Sequence, residues 1–363
     1  MKKKLTFTLL LLLAVLFLSS AFSESWSQIN QPIQKREGWR QIVDNSIFTL
    51  GESIDIVSKN GKIFAGKSFT EKSFGTYPSI DGSTVMVPMA IEFARQHLRL
   101  SEADLSGFVA FSTTHNAYLN LIHRTPNGSA ALVTEEAVMD ASHPVDLMIG
   151  TEPSSEELAL AQERGVALIQ KPICYDAFVF ITHVSNPVES LPLSAIRSIY
   201  KGEIINWEEL GGNDAEIEAY QRNQNAGSQT AMENRVMQGE PIFSHQPVGI
   251  YFVGEMSLLV SKIGGYESTE NGIGYTYKYY LDELYRDDSI KILSIDGIYP
   301  SDENISSGAY PLAVQYFGVI RAGDEEKAGG LFLDWILSEE GQRCVQQAGY
   351  IPISALTHEK AGD

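Results

Sequence analysis

The chain has 363 residues, with 27 Lys and Arg against 46 Asp and Glu and a formal net charge of −19. That balance excludes nucleic-acid binding through a basic face, which needs clustered Lys and Arg. A hydrophobic content of 44% is that of a packed globular protein, and the roughly 340 residues left after a leader exceed one core, so two lobes are expected.

In chain order, Met1-Lys2-Lys3-Lys4, the apolar run Leu9 to Leu18 and Ser19-Ser20-Ala21-Phe22-Ser23 make a secretory signal: basic start, short apolar stretch, small residues. Residues 1–23 are read as a signal peptide cleaved near Ala21 or Ser23. They hold Lys2, Lys3 and Lys4 and no acid, so their loss takes the net charge from −19 to −22. No cysteine stands near that boundary to carry a lipid, and no later segment has the ~18 apolar residues of a membrane helix. The expected address is outside the cytoplasmic membrane, secreted or periplasmic.

Residues 24–76, with weak alternation around Ile47-Phe48-Thr49-Leu50 and Ile54-Asp55-Ile56-Val57, read as an N-terminal extension. The organised region begins at Tyr77-Pro78. After Asp81-Gly82-Ser83-Thr84, the positions Val87, Ala90, Ile91 and Ala94 form a helical stripe. A second helix follows Thr113-Thr114, with Ala117, Leu121 and Ile122 on one face. Val145 to Gly150 is a buried strand ending at Thr151-Glu152-Pro153, and a helix runs from Glu156 to Arg164.

Ala177 to Thr182 is an apolar strand and Leu193 to Tyr200 a helix closed by Lys201-Gly202. Glu216 to Tyr220 leads as a strand into Arg222-Asn223-Gln224-Asn225-Ala226-Gly227-Ser228-Gln229-Thr230, a second glycine-and-hydroxyl helix start. Tyr316 to Ile320 is a strand, and one helix is expected from Glu326 to Ala348, stopped by Gly349 and Pro352. Strands alternating with helices predict α/β lobes with mainly parallel sheets. Without a flexible linker, the chain should cross between lobes twice, at 177–182 and near Tyr310-Pro311-Leu312. Lobe 1 would then be residues 77–178 plus 306–363, and lobe 2 residues 179–305.

Cys174 and Cys344 are the only cysteines. One disulfide would suit an oxidising compartment, but the sequence leaves their pairing open. His115, His123 and His143 are scattered and no HExxH pattern occurs, so neither a metal nor another cofactor is expected.

The chemistry concentrates at the helix starts. Glycine lets a bound group approach the backbone, Ser and Thr cap the first turn, and the free N–H groups carry the positive end of the helix dipole. Such starts are anion seats. In α/β sheets ligands gather beyond the carboxyl ends of strands, where Glu152 and Arg222 both fall. Each feature alone is ordinary; three helix starts with one arginine and one carboxylate form a constellation.

At these residues the sequence resembles the substrate-binding protein of the phosphate ABC importer. The likeness covers about residues 77–356 and is most specific from Asn186-Pro187 through Ile196 to Gly202, Asn206-Trp207, Gly211-Gly212 and Tyr220-Gln221-Arg222 to Thr230, with Tyr350-Ile351-Pro352 near the end. Trp207 and the glycines are scaffold. The resemblance implies a two-lobed periplasmic-binding-protein fold of type II, two mainly parallel sheets flanked by helices and hinged by two crossing segments. It implies phosphate contacts from Ser83, Thr84 and Val85, from Thr113 or Thr114, from Glu152 as acceptor of the ligand's proton, from Arg222, and from Ala226, Gly227 and Ser228. Ala226 stands where the family has a serine, removing one hydroxyl while keeping the backbone N–H.

A fixed carboxylate accepts the proton that phosphate keeps near neutral pH and repels sulfate, which has none, while the arginine fork suits two oxygens. The expected function is a non-enzymatic, monomeric receptor that captures inorganic phosphate and delivers it to a membrane permease. The alternatives are another tetrahedral oxyanion such as sulfate or molybdate, a sensor or interaction module with weak binding, and a hydrolase. The hydrolase would use Ser83 or Ser228, neither of which lies in Gly-x-Ser-x-Gly.

Overall fold

The structure, a computed structural model, describes residues 77–98, 109, 111–125, 144–242, 252–253, 256–264 and 271–353. All of them belong to one compact unit, Gly38–Asp363. The expected signal peptide, 1–23, and extension, 24–76, lie outside the described residues.

The sheet is organised by two long strands. β1 (Ile80–Gly82) lies parallel to β2 (Leu147–Gly150), and β2 is flanked by β11 (Ala313–Arg321), which runs antiparallel to it. β11 then pairs antiparallel with β3, a 16-residue strand from Leu168 to His183. The first part of β3, through Ala177, pairs with β11 and with β12 (Ile351–Pro352). From Phe178 onward it pairs with β8 (Gly272–Tyr277) and β9 (Ile290–Ile292), and β5 (Glu218–Ala219) completes that side, parallel to β8. One strand therefore serves two sheet halves, and β11 begins beside the changeover, where Ala313 faces Ala177.

The two crossings expected at 177–182 and 310–312 are thus neighbours: Phe178 N–H donates to Leu312 O at 3.0 Å. The expectation of mainly parallel strands describes the pairs β1–β2 and β5–β8 and the short ladders β4 (Ser190–Leu191) with β10 (Ser294–Ile295) and β6 (Gln221–Arg222) with β7 (Phe252–Val253). The ladders made by β3 and β11 run antiparallel. Alternating elements set local strand identity, but a strand that returns between halves must reverse direction against its neighbour. A register shift between Tyr316 and Phe317 falls opposite Pro172 and Cys174, where proline has no N–H for the ladder.

Helices cover the sheet with their apolar faces. In α1 (Val87–Leu98) the anticipated stripe of Val87, Ala90, Ile91 and Ala94 is buried, along with Met89 and Phe93. Phe93 meets Phe332 and Trp335 edge-on at 5.7 and 5.5 Å. Full burial of each such side chain favours folding by about 1.5–3 kcal/mol. The helix anticipated over 326–348 is two, α8 (Ala328–Ile336) and α9 (Glu339–Gln347). Ser338 Oγ accepts from Gly341 N–H, and Glu339 and Glu340 occupy the new first turn, a start signal strong enough to break the run.

The rings of Phe178 and Phe180 from β3, Tyr275 from β8 and Tyr200 pack together, with centroids of touching pairs 5.4 to 6.1 Å apart. Trp207 is 1% exposed, its Nε1–H on Asn271 O at 2.8 Å, which fits the scaffold role. Cys174, in β3, and Cys344, in α9, are both buried and are not joined in a disulfide.

Candidate functional site

Three chain segments deliver helix starts to one place. Gly82 ends β1 and the chain turns at once into the 3-10 turn Thr84–Met86, which runs into α1. A Cβ on Gly82 would sit 2.1 Å from Ile149 O, so only glycine permits the close passage that lets Ser83 N–H donate to Ile149 O at 3.0 Å. Thr113 precedes α2 (Thr114–His123), and Ala226 precedes α5 (Gly227–Ala231), which continues as a π turn over Met232–Met237.

Asp81 fixes the first two starts relative to each other. Its Oδ1 accepts from Gly82 N–H and Ser112 N–H, both at 2.8 Å, and Oδ2 accepts from Asn120 Nδ2 at 2.9 Å. Burial pushes its pKa from 3.8 up to about 6, against the pull of those donors. The third start is held from β8. Arg222 N–H donates to Tyr275 Oη at 3.0 Å and to Gln229 Oε1 at 3.3 Å, and Tyr277 O–H donates to Gly227 O at 3.0 Å. Burial drives the pKa of Tyr277 up, keeping its phenol a donor.

Together these segments enclose a cavity of about 330 Å³. Ser83, Thr84, Val85, Thr113, Thr114, Arg222, Ala226, Gly227 and Ser228 all line it. Glu152 does not. Its Oε1 lies 3.3 Å from Arg235 Nε, and Arg235 Nη2 donates to its Oε2 at 3.5 Å.

Sequence reasoning missed His115, Asn116, Asn223, Gln224, Asn225, Met256, Tyr277 and Tyr280, which also line the cavity. Asn223 to Asn225 were visible as an amide run ahead of Ala226. Nothing local marked Tyr277, at the end of β8, or Tyr280 and Met256, which come from segments far along the chain from the helix starts.

The caps do not work as anticipated. Neither Ser83 nor Thr113 gives its side chain to its own helix, and Ala226 has none to give. The first-turn N–H groups at these starts therefore have no side-chain acceptor within the helix, and a ligand can take that place.

Thr113 sits at φ 75°, ψ 165°, a backbone region that costs a non-glycine residue roughly 1–3 kcal/mol. Arg222 is 8% exposed, with Nε and Nη1 shielded from solvent. Gly227 is where the segments meet: a Cβ there would stand 2.4 Å from Thr151 Oγ1 and 3.0 Å from Thr114 Oγ1. Neutral donors, one guanidinium and three dipole ends suit a small multivalent anion. Among the described residues, no group of three or more His, Cys, Asp and Glu could hold a metal ion.

Comparison with known proteins agrees with this geometry. A family model for the PBP superfamily domain matches residues 111–340. The chain is 24% identical over 283 residues to the phosphate-binding protein PstS of Borreliella burgdorferi strain B31, covering 76% of this chain and 89% of that protein. It is 30% identical over 170 residues to the PstS of Bacillus subtilis strain 168, which spans 47% of this chain and 52% of the relative. Among solved structures it is similar to a phosphate ABC transporter substrate-binding protein from Clostridium perfringens with bound phosphate. The TM-score is 0.54 at 26% identity, over 76% of this chain and 99% of the other.

Proposed function

Because the chain belongs to the PBP superfamily, we propose that it captures inorganic phosphate in this cavity and hands it to an ABC permease, without enzymatic turnover. The observation that carries the reading is the convergence of three helix starts lacking side-chain caps, and of buried Arg222, on one cavity of about 330 Å³. The proteins it resembles are named for phosphate binding or carry phosphate.

In this reading Thr84, Val85, Gly227 and Ser228 present backbone N–H groups, and Ser83, Thr113, Thr114 and Ser228 present hydroxyls. Arg222 spans two oxygens. Residues 77–178 plus 306–363 form one lobe and 179–305 the other, hinged where β3 and β11 cross. Closing about that hinge buries the ion and creates the surface a permease recognises. A leader at 1–23 sends the monomer outside the cytoplasmic membrane; no helix among the described residues is long and apolar enough to span a bilayer.

Charge-assisted hydrogen bonds contribute about 1.5–3 kcal/mol each, and a micromolar complex needs only about −8 kcal/mol. Several such bonds exceed that, leaving a surplus to offset dehydration of the ion, so Ala226 is tolerable. Calorimetric titration of the purified chain with phosphate tests the reading. Micromolar or tighter binding is expected; no heat and no thermal shift would overturn it.

A further inference from the structure

Tyr350, which opens the run Tyr350-Ile351-Pro352, does not line the cavity, yet it holds a residue that does. Its phenol O–H donates to Val85 O, and Val85 lines the cavity from the turn that leads into α1. Burial drives the pKa of that phenol up, so it stays a donor. Gly349, at φ 90°, turns the chain out of α9 just before it. β12 then seats the next two residues on β3, Ile351 opposite Tyr175 and Pro352 opposite Cys174. The Tyr350 ring stacks on that of Tyr279, with centroids 3.8 Å apart and planes 11° from parallel.

Tyr279 follows β8 and is tied to the changeover in β3. Its N–H donates to Asp176 Oδ1 at 3.1 Å, and its O–H donates to Ala348 O at 2.7 Å. Asp176 lies in β3 beside that changeover; its Oδ1 also accepts from Ala177 N–H at 2.7 Å, and its Oδ2 from Tyr316 O–H, in β11, at 3.0 Å. In the division proposed above, Tyr279 belongs to one lobe and Tyr350 and Val85 to the other. The stacked pair therefore joins the lobes beside the hinge, and only one of its two hydroxyls reaches a helix start of the cavity. A buried phenol needs an acceptor, and the main-chain carbonyl that serves as one has its turn fixed in return.

We infer that Tyr350 is a positioning residue for the anion. Its hydroxyl on Val85 O and its ring on Tyr279 set the first helix start against the crossing of β3 and β11, so that the backbone N–H groups of Thr84 and Val85 meet the ligand together with those at the start of α5. The inference rests on the reading of the cavity as a phosphate seat.

The test compares Tyr350→Phe with Tyr279→Phe in the full chain, by calorimetric titration with sodium phosphate and by chemical denaturation. Both variants keep two stacked rings, and each removes one buried hydroxyl hydrogen bond, so both should lose stability to a similar extent. Only Tyr350→Phe should weaken phosphate, by about five- to tenfold, while Tyr279→Phe should stay within about twofold of the wild type. An affinity in Tyr350→Phe no weaker than in Tyr279→Phe would overturn the inference and leave the phosphate reading intact. Hydrogen exchange of the wild type with and without phosphate decides even if a variant fails to fold. Phosphate should raise protection at Tyr279 and Tyr350 as well as at Thr84 and Val85; protection confined to the residues lining the cavity would overturn the inference. No phosphate binding by the wild type would overturn both.

Discussion

Helix starts in this chain are built from the same residue types in two settings and treated differently. At Ser154, Asn206, Ser301 and Ser338 the side chain accepts a hydrogen bond from its own first turn. At Ser83 and Thr113 it does not, although both residues can cap, and Ala226 has no acceptor at all. The four capped starts complete themselves; the three around the cavity await another acceptor. Among the described residues, a Ser, Thr or Asn at an N-cap position goes unused only where it lines the cavity, and that contrast separates a stabilising use of hydroxyls from a recognising one.

The contrast breaks most visibly at Arg222. Arg222→Ala should weaken phosphate binding by about a hundredfold or more, the loss of 2–5 kcal/mol typical of one partner in a buried charge contact, with little change in melting temperature. Calorimetry and a melting curve check both halves; unchanged affinity would detach Arg222 from the ligand.

Next in size is the acid that aligns two of the recognising starts. Asp81 has a folded pKa of about 6 against an ordinary 3.8, so the folded state holds its proton more tightly than the unfolded chain. Its contribution is complete below pH 3.8 and is lost as pH rises to about 6, a swing on the order of 3 kcal/mol. Asp81→Asn should flatten that part of the stability curve, whatever constant offset comes from an amide facing Asn120. Chemical denaturation across this range is the measurement, and an undiminished slope would assign the dependence to other groups.

The paired comparison is sharper still. Ser154→Ala should cost about 1 kcal/mol of stability and leave phosphate affinity unchanged. Ser83→Ala should leave stability nearly untouched and weaken binding by up to about tenfold, the value of one neutral hydrogen bond. Identical effects from the two would erase the distinction between the settings.

The smallest effect is expected at Ala226→Ser, which restores a hydroxyl. Tighter phosphate binding by a few-fold, without a rise in melting temperature, would put that oxygen on the ligand. A rise in melting temperature alone would put it on the helix as an ordinary cap.

What could be read from the chain follows from the range of the interactions concerned. Gly82-Ser83-Thr84, Thr113-Thr114 and Ala226-Gly227-Ser228 announce themselves because helix-start chemistry is local, and all of them except Gly82 line the cavity. The stripe of α1 was legible for the same reason. The break at Ser338 was legible too, in Ser338-Glu339-Glu340, but the periodicity on either side masked it. Strand direction in β3 and β11 was not, because it depends on which segment each lies beside. Nor was the fate of Glu152: its partner Arg235 lies 83 residues on, and no spacing rule ties an acid to a base at that distance. Which face of a hydroxyl is used, toward its own helix or toward a guest, is likewise decided by the tertiary setting.

Thr113 carries a consequence for anyone who would improve this protein. Its backbone occupies a region that glycine enters without penalty, so any selection for heat tolerance alone would favour trading the threonine away. The gain in robustness would come at the mouth of the binding cavity, and a variant chosen only for surviving a higher temperature would emerge tougher and less able to hold its cargo.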